Sequence, residues 1–257
     1  MKHPLRTLLL AVCCGLAAAC TQRQERLKLM SYNIRNGIGI DNIQDIGRIA
    51  RVILREAPDL VALQELDSAT LRVDGRYIPG ELGRMTGMHA TFGRAIGFAG
   101  GSYGVGLLSR TEPFAVRSIP LPGREEARVL LMAEFPDYTV CVTHLSLTPE
   151  DRHASLPIIR EATDTCRKPV LLAGDFNTGN AAAVLAGLGG GFRILSDTTR
   201  MTFPSDNPAV RIDYILGRGL PTSATGAESA VDHTATASDH CPLWVTLVWK
   251  RGKQPGK

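Results

Sequence analysis

The sequence predicts an α/β fold, a four-layered sandwich in which two packed, mixed β-sheets are flanked by helices. Runs with strand character alternate with runs of helical spacing from residue 27 to residue 249, and the chain closes on strands, the pattern of sheets covered by helices. Several strand-like runs also end abruptly in polar side chains. The sharpest is 169–177, PVLLAGDFN, where an apolar run meets Gly174, Asp175 and Asn177; residues two apart on a strand share a side, so the acid and the amide face one point. No Pro/Ser-rich linker, low-complexity run or internal repeat divides the 257 residues, so one domain is expected.

Composition narrows the class. AVILMFWYC residues at 44% fill a sizeable core, and 26 glycines with 15 prolines imply many tight loops, which excludes a fibrous or disordered chain. The net charge is +4, or +2 once Lys2 and Arg6 are set aside with the leader. That weak field lacks the basic face of a nonspecific DNA binder; the one evident cluster, Lys250, Arg251, Lys253 and Lys257, reads as a frayed end. Cys13, Cys14 and Cys20 belong to the leader and its end. The remaining three, Cys141, Cys166 and Cys241, are an odd number and imply no full disulfide framework; Cys141 and Cys241 read as small core residues.

The leader is residues 1–19, a short apolar run with Lys2 and Arg6 at its start, which fits a secretory signal. It ends AAAC at Cys20, which resembles a bacterial lipoprotein cleavage site with Ala17 where Leu is usual. The expectation is a lipid on Cys20, a tether over 20–26, the domain over 27–250 and a tail over 251–257. An ordinary signal peptide cut after Ala-x-Ala is the alternative.

In chain order, residues 27–34 alternate as a half-buried strand and bring Asn33 to its end. Asp41 or Asn42 offers an N-cap, and Ile43, Ile46, Ile49, Ala50, Ile53 and Leu54 recur at helical spacing, predicting one amphipathic helix closed before Pro58. Residues 60–63 form a short strand with Gln64 and Glu65 just past it. Between Asp67 and Gly104 the chain is least regular, with a helix expected over 78–85 and a strand over 89–96. Residues 100–104, GGSYG, satisfy the G-x-S-x-G pattern of a nucleophile elbow on Ser102. An elbow needs a strand before it and a helix after it, whereas 97–101 is loop-like and 105–109 strand-like, so the match is accidental. Strands follow over 114–119, 129–135 and 139–145, the last carrying His144. A helix over 150–166 is expected to kink or begin late at Pro157. After the GDFN strand come a small-residue helix over 181–188, a strand near 193–195 and a hairpin-like pair, 212–216 and 242–249.

Taken in order, SYNIRNG, LQELD, YGVGLLS, THL, GDFN, IDYIL and SDH make the chain resemble the endonuclease/exonuclease/phosphatase superfamily, metal-dependent phosphoesterases similar to deoxyribonuclease I, over residues 27–249. GDFN together with SDH is the specific part; each motif alone is weak. The resemblance implies Mg2+ or Mn2+ held by Glu65, with Asn33 orienting a ligand or a phosphate oxygen; a hard divalent ion selects oxygen and few protein ligands. It implies His240 as base or phosphate-polarising acid, its tautomer fixed by Asp213, and Asp175 and Asn177 positioning the attacking water. Asp239 holds a second cation or orients neighbours, and His144 contacts the phosphate with a partner acid the sequence does not identify. Arg128, Tyr103 and Arg94 are the candidates for holding substrate, with Arg72, Arg76, Tyr77 and Phe98 in the same variable region. The zinc motif H-E-x-x-H is absent.

The expected protein is an exported, periplasmic or cell-envelope, lipid-anchored and monomeric phosphodiesterase or phosphatase. The shared motifs read the phosphate and not its substituent, so a nuclease acting on DNA or RNA is the main alternative. A serine esterase on Ser102 and a binding protein without turnover are lesser ones.

Overall fold

Apolar strands that carry buried residues on both faces need a cover on each side, and that requirement organises the chain. The computed structural model describes residues 24–221 and 224–250; the expected leader, Cys20 and the tail at 251–257 lie outside these. The first sheet contains β1 (Gln24–Asn33), β2 (Leu60–Ser68), β3 (His89–Phe98), β4 (Gly101–Ser109), β11 (Thr225–Val231) and β12 (Leu243–Lys250), in the order β11-β12-β1-β2-β4-β3. The second contains β5 (Ala115–Leu121), β6 (Arg128–Glu134), β7 (Thr139–His144), β8 (Val170–Asp175), β9 (Arg193–Ile194) and β10 (Asp213–Arg218), in the order β5-β6-β7-β8-β10-β9. The helices are α1 (Ile46–Glu56), α2 (Ile78–Thr86), α3 (Pro149–Asp164) and α4 (Ala181–Leu188).

Each sheet is built on one parallel pair, β1–β2 linked through α1 and β7–β8 linked through α3. Parallel pairing carries the polar ends of both strands to the same edge: Asn33 lies opposite Gln64, and His144 opposite Asp175. β10 runs antiparallel to β8, so its first residue, Asp213, also lies opposite Asp175.

Alternation divides the core into three. Leu29, Leu60, Ala62 and Leu107 of the first sheet meet Leu131, Val142, Leu171 and Ile215 of the second. The next residues along, Met30, Tyr32, Val61 and Leu63, pack beneath Ile49, Ile53, Ile78 and Leu82 of α1 and α2. Leu130, Met132, Cys141 and Leu172 do the same beneath Leu156, Ile159, Val184 and Leu188 of α3 and α4. This is the expected four-layered sandwich, and truncating any one of these leucines to alanine costs about 2–5 kcal/mol.

Four expectations are corrected. The cap of α1 is Asp45, which accepts from Arg48 N, and not Asp41 or Asn42; Asp41 instead pairs with the Arg48 guanidinium, and Ile43 and Leu54 are exposed rather than part of the buried stripe. α3 starts with Pro149 in its first turn and runs through Pro157 without interruption. Residues 212–216 and 242–249 do not pair: the first belongs to β10 in the second sheet, and β12 pairs with β1 and β11 in the first. β11, rich in Gly, Ser and Ala, lacks the alternation that marks a strand. Finally, β1 takes in Gln24–Arg26 of the expected tether, because those residues pair with β12.

Candidate active site

The polar strand ends meet in one open cleft of about 310 Å³ at the shared edge of the sheets. Asn33 is its hub. The Asn33 side-chain NH2 donates to Glu65 Oε1 and to Asp175 Oδ2, both at 3.1 Å, and stands 3.4 Å from His240 Nε2. Arg35 N donates to Asn33 Oδ1, which fixes the amide with its nitrogen inward. Asn33 therefore aligns two carboxylates through its nitrogen.

Glu65 reaches the cleft through a bulge in β2: pairing with β4 shifts between Leu63 and Leu66, and Glu65 adopts a left-handed φ of 57°. The extra residue turns the carboxylate to the side where Asn33 waits, while Gln64 is fully buried and absent from the lining. Burial, with the charges of Asp239 and Asp175, raises the Glu65 pKa against the hydrogen bond from Asn33.

Gly174 lets β8 close on β7. A Cβ there would sit 2.0 Å from the Thr143 carbonyl oxygen, so no side chain is admitted. The following Asp175 accepts from Asn177 N at 2.8 Å, and Asn177, itself left-handed at φ 50°, donates its side-chain amide to the Leu145 carbonyl. Asp175 Oδ2 is 3.5 Å from His144 Nε2 and 3.6 Å from His240 Nε2, so the two rings flank one carboxylate. Burial raises the Asp175 pKa, and the charge of Asp213 raises it further.

The two histidines diverge. Burial pushes His144 down to about 4 even though Asp175 pulls the other way. Burial also opposes charge on His240, but Asp213, bonded to His240 Nδ1 at 2.9 Å, together with Asp175 and Asp239, outweighs it and pushes the ring up to about 10. Burial therefore favours the neutral ring at His144, whereas the acids around His240 favour its charged form. The Ser238 hydroxyl, which donates to the Asn33 carbonyl and accepts from His240 N, ties the SDH turn to the end of β1.

A divalent cation fits this donor set. Glu65, Asp175 and Asp239 line one cleft, and among the described residues no basic side chain forms an ion pair with Glu65. A carboxylate without a basic partner, as Glu65 is, can be completed by a hard cation and its waters. Asp175, Asp213 and His240 also have ligand atoms within 4.8 Å of one another. The bond of Asp213 to Nδ1 occupies that nitrogen, so this trio is an acid–imidazole relay first.

Asp239, Arg128 and Tyr103 line the cleft as expected, but Arg94 is exposed on β3 and is not in the lining. Arg128 is not an unpaired phosphate clamp, because Glu125 and Glu126 both hold its guanidinium. Glu126 and Phe203, which also line the cleft, went unnoticed in the sequence; neither sits at a strand end. Ser102 lies within β4, which continues to Ser109 with no helix behind it, so no nucleophile elbow exists.

The profile of the Endonuclease/Exonuclease/phosphatase family matches residues 30–240. No curated protein sequence matches the chain. Among solved structures, a family protein from Bacteroides thetaiotaomicron superposes with a TM-score of 0.72 at 19% identity, covering 89% of this chain and 100% of its own. The mannosyl-6-phosphatase Bt3783 of B. thetaiotaomicron VPI-5482 gives 0.69 at 18% identity, with 87% and 100% covered. TDP2 of D. rerio, complexed with single-strand DNA product, gives 0.65 at 22% identity, with 86% and 98% covered. At these identities the structural likeness establishes the fold.

Proposed function

We propose, from the premise that the chain belongs to the Endonuclease/Exonuclease/phosphatase family, that it is an exported hydrolase that uses Mg2+ or Mn2+ to cleave a small phosphate ester. Members of the family break phosphoester bonds with a divalent metal. The observation that carries the reading is the Asn33 amide bridging Glu65 and Asp175 beside His240, a convergence of groups from both sheets.

Glu65, with Asp239 beside it on the cleft wall, would hold the cation. When bound, it neutralises phosphate oxygens and the oxygen that departs. Asp175, whose pKa burial has raised, takes the proton of the attacking water, and Asn33 and Asn177 N hold that carboxylate in one orientation. His240, kept protonated by Asp213, donates to a non-bridging phosphoryl oxygen as charge develops there. Of the two roles the resemblance leaves for His240, this proposal takes the acid. His144, neutral, can donate one hydrogen bond to the phosphate without adding charge.

A purified chain assayed on bis-p-nitrophenyl phosphate and p-nitrophenyl phosphate tests the reading. Activity should need Mg2+ or Mn2+, vanish in EDTA, and fall by about 10²–10⁴ in Asp175→Ala and His240→Ala. Activity that survives chelation or either substitution refutes it. Supercoiled plasmid in the same panel examines the nuclease reading, which resembles the DNA-bound neighbour; rapid nicking with a steep salt dependence would replace the small-ester assignment. The leader supports export and a lipid on Cys20. A Cys20→Ala chain expressed with its own N-terminus should then move from the membrane fraction to the soluble one, and unchanged partition would remove the anchor.

A further inference from the structure

We propose that Glu126, held against Arg128 on the cleft wall, is the specificity residue that recognises a hydroxyl on the alcohol side of the ester. The preferred substrates are then phosphate esters of polyhydroxylated alcohols. This rests on the hydrolytic reading above and concerns a different wall of the cleft from the cation and water.

The first argument is charge. Three arginines on or near the cleft wall already face acids. Arg128 bonds Glu125 at 3.3 Å and Glu126 at 3.0 Å. Arg72 bonds Asp67 at 2.7 Å and Asn36 Oδ1 at 2.6 Å beneath the Phe98 and Tyr103 rings. Arg35 lies 3.5 Å from Asp239. Their charges are already offset by acids, and a polyanion threaded through the cleft would also meet Glu126 and Asp239.

The second argument is how the wall is built. Glu125 does not serve the substrate: it accepts the Ser146 hydroxyl at 2.7 Å, Leu147 N at 2.7 Å and the Thr148 hydroxyl at 3.2 Å. Those bonds pin the loop after β5 to the link between β7 and α3, and so fix where Glu126 and Arg128 stand. Glu126 uses Oε1 for Arg128 Nη1, which leaves its second carboxylate oxygen for another donor. Glu125 and Glu126 share the one positive charge of Arg128, so Glu126 stays an acceptor whose open oxygen suits a hydroxyl donor. Burial of Glu126, which raises its pKa, points the same way. Leu147 and Phe203 give apolar contact for the carbons that carry such hydroxyls.

Two matched pairs of esters, hexose phosphate against hexyl phosphate and glycerophosphoglycerol against dibutyl phosphate, test this in the wild type, Glu126→Gln and Glu126→Ala. Bis-p-nitrophenyl phosphate reports basal hydrolysis. The wild type should favour the hydroxylated member of at least one pair by about 10-fold or more in kcat/KM, the scale of one hydrogen bond to a charged group. Both variants should bring that ratio to within about 3-fold, with the loss carried mainly by KM. A wild type indifferent to the hydroxyls, a ratio unmoved by both substitutions, or a preference for phosphocholine over hexose phosphate overturns the proposal. Failure of the hydrolytic reading looks different. In that case no ester is cleaved with any divalent metal, while calorimetry still shows hexose phosphate binding the wild type and at least 10-fold weaker binding to Glu126→Ala, which would uphold the Glu126 contact alone.

Discussion

Replacing Asp213 with asparagine removes one charge from the relay and keeps its shape, because the amide oxygen still accepts from His240 Nδ1. Asp213 and His240 are 1% and 6% exposed in their side chains, so water screens their 2.9 Å contact little. Lifting the imidazole from 6.5 to about 10 corresponds to a preference for the charged ring on the order of 5 kcal/mol. A pKa raised by folding stabilises the protein fully below the unfolded value and loses that contribution as pH climbs through the folded one. The chelator-treated wild type should therefore lose stability between about pH 6.5 and pH 10. In Asp213→Asn, burial regains control of His240, the window flattens, and the gap between the two proteins is widest near pH 6.5 and narrows towards pH 10. At pH 7.5 the imidazolium fraction of the variant drops to roughly a tenth or less, and turnover with metal should fall by about 10²-fold or more. Melting temperatures across pH 6–10 and an NMR titration of the His240 ring read these changes directly. A variant whose ring titrates within about one pH unit of the wild type would refute the argument.

The other expectations are briefer. Glu65→Gln should weaken Mn2+ binding by about 10-fold or more in calorimetry, while the metal-free protein gains stability because a buried charge near Asp175 and Asp239 is gone. Gly174→Ala should cost on the order of 2–4 kcal/mol in denaturant unfolding, since its Cβ can fit only if β8 leaves β7 at Thr143. Ser102→Ala should keep activity within about 2-fold and remain fully sensitive to EDTA, because Ser102 sits mid-hairpin and far from any helix start; loss of turnover would reinstate the serine reading.

Much of the site could be read in the sequence because its groups sit at strand ends, where one local rule, an apolar run stopping at a polar pair, coincides with the functional edge. Asn33, His144, Asp175 and Asp213 obey it. Glu65 obeys it only in part: β2 continues to Ser68, and what aims the carboxylate is a bulge that no local pattern announces. The identity of the neighbours was not local either. Asp175 beside His144, and Glu125 and Glu126 as partners of Arg128, follow from how strands and loops pack, and the same holds for the misassigned pair β10 and β12.

The packing of the two sheets is itself part of the chemistry. Asn33 and Glu65 come from the first sheet, and Asp175, Asp213 and His144 from the second, so the 3.1 Å bond from Asn33 to Asp175 spans the sandwich. The residues packed between the sheets, Leu29, Ala62, Ala173 and Ile215 among them, hold the two strands at that separation, and loop amides at Arg35 and Asn177 orient the two side chains. Overpacking between the sheets pushes the strand ends apart, and cores resist that by several kcal/mol before they yield. The spacing of the candidate site's groups thus depends on a large apolar interface. That explains how so few polar groups, each weakly marked in the sequence, stay aligned in a cleft open to water.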